Sequence, residues 1–318
     1  MKSEVQKLPL EFLERLKRLI PTGKLDQIAN TFAEEKPTTF RINHLKAESL
    51  REIKESLESQ EFKLENVSWP PDAFILKSGR LRELQGTEEY KSGKIYVQNL
   101  SSMIPPLVLD PKAGETILDL AAAPGSKTTQ IASLTRNQAK VIACDNNRVR
   151  YYKLKANLEM QGCPNVEALL TFGETIGRKY PDYFDKVLID APCSSEGRFD
   201  IREPSSFGYW KVQKCYEMAK KQKKLIFSAF SALKPGGILV YSTCTFAPEE
   251  NEGVLNWLLR KFPGQVRVEN ITLPISNWLQ GVSQWGKEAF DPTVRYGVRI
   301  LPYQAMEGFF VARIRKAA

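Results

Sequence analysis

A chain of 318 residues with 42% apolar side chains can fill one large or two smaller globular cores, which excludes a disordered or fibrous class. Its formal charge of +9 favours a polyanionic partner, because each phosphate neutralised releases counterions. The five cysteines (144, 163, 193, 215 and 244) form no Cys-x-x-Cys, and no 18-residue apolar run or signal-peptide pattern follows the polar start Met1-Lys2-Ser3-Glu4, so a zinc site, a disulfide frame and a membrane anchor are excluded.

In chain order, Leu10, Phe12, Leu13, Leu16, Leu19 and Ile20 recur at helical spacing, as do Leu50, Ile53 and Leu57. Between them Lys36-Pro37-Thr38-Thr39-Phe40-Arg41-Ile42-Asn43-His44 reads as a short strand with an exposed asparagine. Trp69-Pro70-Pro71 breaks the chain, and Arg80, Arg82, Lys91 and Lys94 follow. Residues 1–95 are therefore predicted to form a separate, mostly helical α+β region. Its basic residues could hold a nucleic-acid backbone, with Phe40 and Trp69 available to stack a base, although such aromatics more often fill a small core.

From Tyr96 onwards strands and helices alternate. Strands are expected at Ile117–Leu120, Lys140–Asp145, Val166–Leu170, Asp185–Asp190, Gly237–Thr243 and near Gly308–Ile314. Helices are expected at Ser126–Thr135, Arg148–Met160, Gln213–Leu233 and Glu249–Phe262. The third helix places Met218, Leu225, Ile226, Phe230 and Leu233 on one face and Lys220, Lys221, Lys223 and Lys224 elsewhere. Pro248, Glu249 and Glu250 suit the positive end of the fourth. Lys234-Pro235-Gly236-Gly237 is a turn into the fifth strand. The alternation specifies an α/β fold, a mostly parallel Rossmann-like sheet with helices on both faces.

Within that frame Leu118-Asp119-Leu120-Ala121-Ala122-Ala123-Pro124-Gly125-Ser126-Lys127-Thr128 runs from a buried strand through small residues into a helix, which leaves room for a ligand over the helix N-terminus. It lacks the Gly-x-Gly-x-x-Gly of dinucleotide sites and the glycines of a phosphate loop. Alanine walls suit a ligand without phosphates, such as S-adenosylmethionine. Asp145, at the tip of the next strand, stands where an acid takes ribose hydroxyls. A plain strand-to-helix turn would also account for the loop taken alone.

Two further strand ends carry chemistry. Asp190-Ala191-Pro192-Cys193 and Ser242-Thr243-Cys244 each end a buried run with a cysteine in a turn, and in a parallel sheet both loops emerge on the ligand edge. Singly, each cysteine could be a small buried hydrophobe, and Asp190 a turn residue. Together beside a methyl donor they suggest cytosine C5 methylation. A thiolate adds to C6 so that C5 becomes nucleophilic, a carboxyl group steadies the charge on the ring, and the second cysteine assists proton removal or release. Cys144, Cys163 and Cys215 are read as structural, and the lone histidine, His44, leaves little room for a histidine base.

These motifs, with Phe40-Arg41-Ile42-Asn43, Val97-Gln98-Asn99-Leu100-Ser101-Ser102-Met103, Pro248-Glu249-Glu250-Asn251-Glu252 and Glu307-Gly308-Phe309-Phe310-Val311-Ala312, resemble the Sun/nucleolar-protein (RsmB/Nop) family of RNA (cytosine-5) methyltransferases along nearly the whole chain. The resemblance implies Cys244 as nucleophile, Cys193 as the releasing cysteine, and Asp190 and Lys127 beside the target base. It also implies an S-adenosylmethionine site of Ala121, Ala122, Ala123, Pro124, Gly125, Ser126, Lys127, Asp145, Arg150 and Asp190. The expected protein is a cytoplasmic monomer that methylates structured RNA (rRNA or tRNA), without a metal, with residues 1–95 binding RNA, residues 96–318 catalytic and no RNA-binding module appended after the last strand. A DNA cytosine methyltransferase attacking through Cys193 and a catalytically idle RNA-binding factor are the alternatives. The chain departs from the family's pattern in three places. No acid follows the third strand until Glu174, Ser195 stands where glycine is common with a slightly longer loop to Trp210, and Tyr303 replaces a frequent histidine.

Overall fold

The computed structural model describes residues 3–70 and 72–318; Met1 and Lys2 of the polar start, and Pro71 of the chain break, lie outside the described residues. The chain begins with two amphipathic helices, α1 (Leu10–Leu19) and α2 (Thr22–Thr31). An antiparallel sheet follows, of order β2-β3-β1-β4, made of β1 (Thr39–Ile42), β2 (Lys63–Asn66), β3 (Ala73–Ser78) and β4 (Ile95–Val97). The helices α3 (Leu50–Ser59), α4 (Leu81–Gly86) and α5 (Glu88–Lys91) are interleaved with its strands. Phe40, Ile42, Ile53, Leu57, Phe74, Leu84 and Ile95 form its core.

This region holds more sheet than its sequence suggests, Phe40 fills its small core, and one reading, of Asn43, needs correction. Phe40 is fully buried against Phe74, with ring centroids 5.5 Å apart, so it cannot stack a base. Asn43, expected to be exposed, is fully buried and donates to the carbonyls of Gly93 (2.9 Å) and Gln161 (2.8 Å). A buried amide is tolerated here because its donors are satisfied.

After α6 (Leu100–Leu109) the doubly wound part begins. Its strands are β5 (Thr116–Asp119), β6 (Lys140–Asp145), β7 (Val166–Leu170), β8 (Phe184–Asp190), β9 (Leu233–Thr243), β10 (Val266–Glu269) and β11 (Trp278–Gln280). A hairpin of β12 (Gln284–Trp285) and β13 (Glu288–Ala289) comes next, and then β14 (Val298–Ile300) and β15 (Phe309–Lys316). The helices are α7 (Ser126–Leu134), α8 (Arg148–Gln161), α9 (Ile176–Lys179), α10 (Val212–Ala232) and α11 (Glu252–Lys261). The sheet order is β11-β14-β15-β9-β8-β5-β6-β7, with β10 also paired to β15. Strands β7-β6-β5-β8-β9 run parallel, and β15, β14, β11 and β10 are antiparallel additions.

The sequence-read strands and helices of this part are all present. Lys234-Pro235-Gly236-Gly237 is absorbed into β9 as a register irregularity against β8, not a separate turn. The fourth helix begins later than expected, at Glu252, because Glu249 and Glu250 are drawn into side-chain contacts elsewhere. No described helix is long and apolar enough to cross a membrane.

The first two helices do not pack on the small sheet. Phe12, Leu16 and Phe32 share a core with Phe199, Phe207, Trp210 and Phe246, on the loops that follow β8 and β9. Arg15 adds a bidentate pair with Glu249 (3.1 and 2.6 Å). Below these loops Arg299 on β14 is buried against Glu252, donating through Nε at 2.6 Å and also through Nη2. Removing one member of a buried pair strands the other's charge, so Arg299→Met is expected to lower the unfolding free energy by about 3–5 kcal/mol. Adding Glu252→Gln should recover part of the loss in urea titrations.

Candidate active site

The site lies where β5, β6, β8 and β9 end. Parallel pairing aligns Asp119 with Leu188 and Asp190 with Ser242, so the loops after β5, β8 and β9 leave the sheet at one level. They wall a cleft of about 700 Å³ that brings together Ala121, Ala123, Asp145, Arg150, Asp190, Cys193, Ser195 and Cys244. That size, with charged and polar groups set among apolar ones, suits a cofactor with a substrate base beside it.

The residues of the β5–α7 loop divide by role. Ala121 and Ala123 face the cleft, whereas Ala122 packs with Leu154 and Leu158 of α8. Pro124 is exposed, and its carbonyl accepts from Asn157 at 2.8 Å. Gly125 adopts φ +108°, a conformation that a side chain would strain. Ser126 starts α7 and its carbonyl accepts from buried Arg41 at 3.1 Å; Arg41 also reaches Thr129 (2.8 Å) and Gln98 (2.8 Å). Strand β1 thus pins the loop through a guanidinium that burial pushes down to about 10, and Arg41 is not available to phosphates.

Lys127 is buried and donates to Asp190 Oδ2 (2.6 Å) and Ser102 Oγ (2.7 Å), while Ser242 Oγ donates to Asp190 Oδ1 at 3.0 Å. Asp119, at the end of β5, is pushed up to about 6 by burial despite its bond from Thr128 (2.6 Å). Asp145 accepts from Asn147 N (2.9 Å) and lies 3.5 Å from Arg150, whose Nη2 also donates to the carbonyl of Ala123. A buried carboxylate opening onto the cleft between small side chains fits the hydroxyls of a nucleoside, as the resemblance requires. At its far end the cleft is lined by Phe172, Glu174, Lys221 and Leu225. Tyr303 is not among the residues lining the cleft.

Cys193 Sγ and Cys244 Sγ lie 3.1 Å apart. Their contact divides one charge unequally: the hydrogen bond from Cys193 lowers the Cys244 thiol, and the same bond together with burial raises Cys193 well above the ordinary range. Of the two, Cys244 is thus the thiol that ionises more readily. By contrast Cys144 and Cys163 are buried and pushed up to about 12 and about 11, and burial also raises Cys215, in keeping with structural roles. His44 pairs with Asp72 at 2.9 Å and does not line the cleft.

Two buried acids hold the cysteine loops: Glu196, to which sequence reasoning assigned no role, and Glu250, which it read as part of a helix start. Glu196 accepts from Thr245 Oγ1 (2.9 Å) and Phe246 N (3.0 Å). Glu250 accepts from Ser194 N (3.0 Å), Ser194 Oγ and Gln222 Nε2 (2.8 Å), and Tyr241 OH donates to its carbonyl at 2.6 Å. Gln222, a polar residue on the apolar face of α10, was the visible signal of this network. Gly197 and Gly308 meet backbone to backbone; a Cβ on Gly197 would lie 2.0 Å from the Gly308 carbonyl oxygen, so β15 can lock the Cys193 loop only through glycine.

A doubly wound sheet with a nucleoside-fitting cleft and chemistry at its carboxyl edge defines a Rossmann-like methyltransferase. Residues 106–315 match the family model described as 16S rRNA methyltransferase RsmB/F, and residues 8–100 match the N-terminal domain of 16S rRNA methyltransferase RsmF. The chain belongs to this RsmB/F family of RNA methyltransferases. It is 41% identical to a tRNA (cytosine(49)-C(5))-methyltransferase of Pyrococcus abyssi, covering 99% of this chain and 98% of that one. It is 35% identical to the ribosomal RNA small subunit methyltransferase F of Pectobacterium carotovorum, where it spans 98% of this chain but 63% of the relative. A crystal structure of a methyltransferase homologue from Pyrococcus horikoshii superposes with a TM-score of 0.79 at 31% identity, covering 97% of this chain and 100% of that one. The relatives' names speak for RNA and give the DNA alternative no support.

Burial pushes Glu250 up to about 7 from an ordinary 4.5. A raised carboxyl contributes stability that is fully present below its unfolded value and is lost as pH rises through its folded one. Glu250→Gln should therefore gain stability relative to the parent between pH 5 and pH 8, by up to about 3 kcal/mol. Thermal midpoints across that range check it; a difference independent of pH would refute the assignment.

Proposed function

We propose that the protein transfers a methyl group from S-adenosylmethionine to C5 of a cytosine in structured RNA, tRNA or rRNA, with Cys244 as nucleophile and Cys193 as the releasing thiol. The observation that carries this reading is the pair of sulfurs 3.1 Å apart on one cleft wall that also includes Asp190. Residues 96–318 form the catalytic part. Residues 1–95 serve as the RNA-binding region, in which Arg80, Arg82 and Lys91 are exposed to phosphates. The protein acts as a monomer in this reading, and two free thiols in contact suit the reducing cytoplasm.

The residues fit the cofactor. Asp145 would take the ribose hydroxyls with Arg150 beside it, Ala121 and Ala123 would let the ligand lie close to the backbone, and Asp190 would face its amino group. When bound, the cofactor supplies an electrophilic methyl group to ring C5.

The chain's own residues do the rest. Cys244 Sγ, in its thiolate form, bonds to cytosine C6, and the electron pair displaced from C5–C6 moves towards N3. The Asp190–Lys127 pair stabilises N3 and the exocyclic amine there, Lys127 being the proton donor. After methylation Lys127 recovers its proton from N3, the C5 proton passes to solvent water, and the C5–H electron pair reforms C5=C6 as the C6–S bond breaks and Cys244 departs as thiolate. Cys193, protonated and adjacent, supports that departure by hydrogen bonding to the leaving sulfur.

Replacing each cysteine separates the roles. With RNA and methyl donor, Cys193→Ala should accumulate a denaturation-resistant protein–RNA adduct, and Cys244→Ala should form none. The reverse pattern would transfer the nucleophile to Cys193, and bisulfite sequencing of incubated RNA would locate the product. No 5-methylcytosine from the unmodified enzyme would favour the idle-factor reading.

A further inference from the structure

Ser195 stands between the two thiols, and nothing in the scheme above uses it. Cys244 Sγ donates to the Ser195 Oγ at 3.6 Å and Cys193 Sγ lies 3.9 Å from the same oxygen, so that hydroxyl and two sulfurs close a triangle on the cleft wall. The bond to Cys244 must reverse, with Ser195 donating, once that thiol ionises. Among the described residues this Oγ has no oxygen or nitrogen partner. The neighbouring hydroxyls are committed: Ser194 to Glu250 and Thr245, Thr245 to Glu196, and Ser242 to Asp190.

The backbone makes the choice of residue more telling. Ser195 holds φ +60° and ψ 27°, a left-handed conformation that glycine adopts freely and a side chain adopts at a cost. The sequence keeps a hydroxyl where local conformation alone would select glycine. Strain of this kind at a reacting group points to a role for the side chain.

We propose that the Ser195 hydroxyl serves the thiol pair, donating its hydrogen to Cys244 Sγ before attack and turning to Cys193 Sγ once Cys244 is bonded to carbon. The assignment rests on the covalent cysteine reaction proposed above. A free hydroxyl rotates about its Cβ–Oγ bond, so one donor can follow the charge from one sulfur to the other. That donor matters because burial and the Asp190 carboxylate both oppose a thiolate at Cys244, and Arg198 is the one cation among the groups that favour it. Ser195 offsets the desolvation without adding a charge. It also explains how the chain tolerates this departure from the family's glycine.

The test is iodoacetamide alkylation of Cys244 between pH 6 and pH 10, followed by peptide mass mapping, on the full chain without RNA or cofactor. Ser195→Ala and Ser195→Gly are both expected to shift the alkylation midpoint upward and to slow the reaction at pH 7 about three- to tenfold, the loss of one hydrogen bond to a charged acceptor. Glycine suits the local φ, so misfolding would not explain a shift in that variant. Unchanged profiles in both variants would overturn the proposal, and so would a shift in Ser195→Gly alone, which would assign the effect to the backbone. Because the readout needs no methyl transfer, expected alkylation shifts with no RNA adduct from Cys193→Ala would sink the reaction and with it the turn to Cys193, leaving only the hydrogen bond from Ser195 to Cys244.

Discussion

The arrangement depends on one register. Strands β8 and β9 pair in parallel with Asp190 opposite Ser242, so two chain segments more than fifty residues apart reach the same edge at the same level. Each then continues for two or three residues to a cysteine. A slip by one residue would turn one sulfur away from the other, because side chains alternate across a strand. The register is held from outside as well as within the sheet. Glu250 grips the Cys193 loop, Glu196 grips the Cys244 loop, and Ser194 meets Thr245 at 2.7 Å between them. Buried carboxylates are costly, and here each is surrounded by donors that fix geometry.

The cleft is supported by parts of the chain far from it in sequence. Arg41 reaches from the small N-terminal sheet to the start of α7, so the loop expected to hold the cofactor takes its shape partly from residues about ninety positions upstream. Helices α1 and α2 cover the other flank, where Phe12 meets Phe199 edge-on at 4.9 Å and Trp210 at 5.8 Å. The N-terminal region is thereby tied to both sides of the chemistry.

Much of this was legible in the sequence, for physical reasons. The central parallel strands β5, β6, β8 and β9 are largely buried on both faces and read as apolar runs, while α10 shows clear periodicity, so their existence followed from pattern. Cys193, Cys244 and Asp190 were legible because strand ends in such sheets face one edge. The small sheet was harder. Strand β2 is mostly exposed and polar and β4 has three residues, too short for alternation to show. Asn43 and Arg41 looked like surface groups, since sequence gives their polarity and not the carbonyls and hydroxyls that satisfy them. Pro248-Glu249-Glu250 matched a helix start, but tertiary partners claimed both acids before the helix could. Glu196 carried no signal beyond its nearness to Cys193, and Ser195 only its standing where the family commonly has glycine.

The claim that matters most is that Cys244, and not Cys193, bonds to the base. A substrate RNA carrying 5-fluorocytosine blocks loss of the C5 substituent and so holds the covalent intermediate on the unmodified enzyme. Digestion and mass mapping of that complex should place the nucleotide on the peptide containing Cys244. Recovery of the label on Cys193, or on no cysteine at all, would contradict the account.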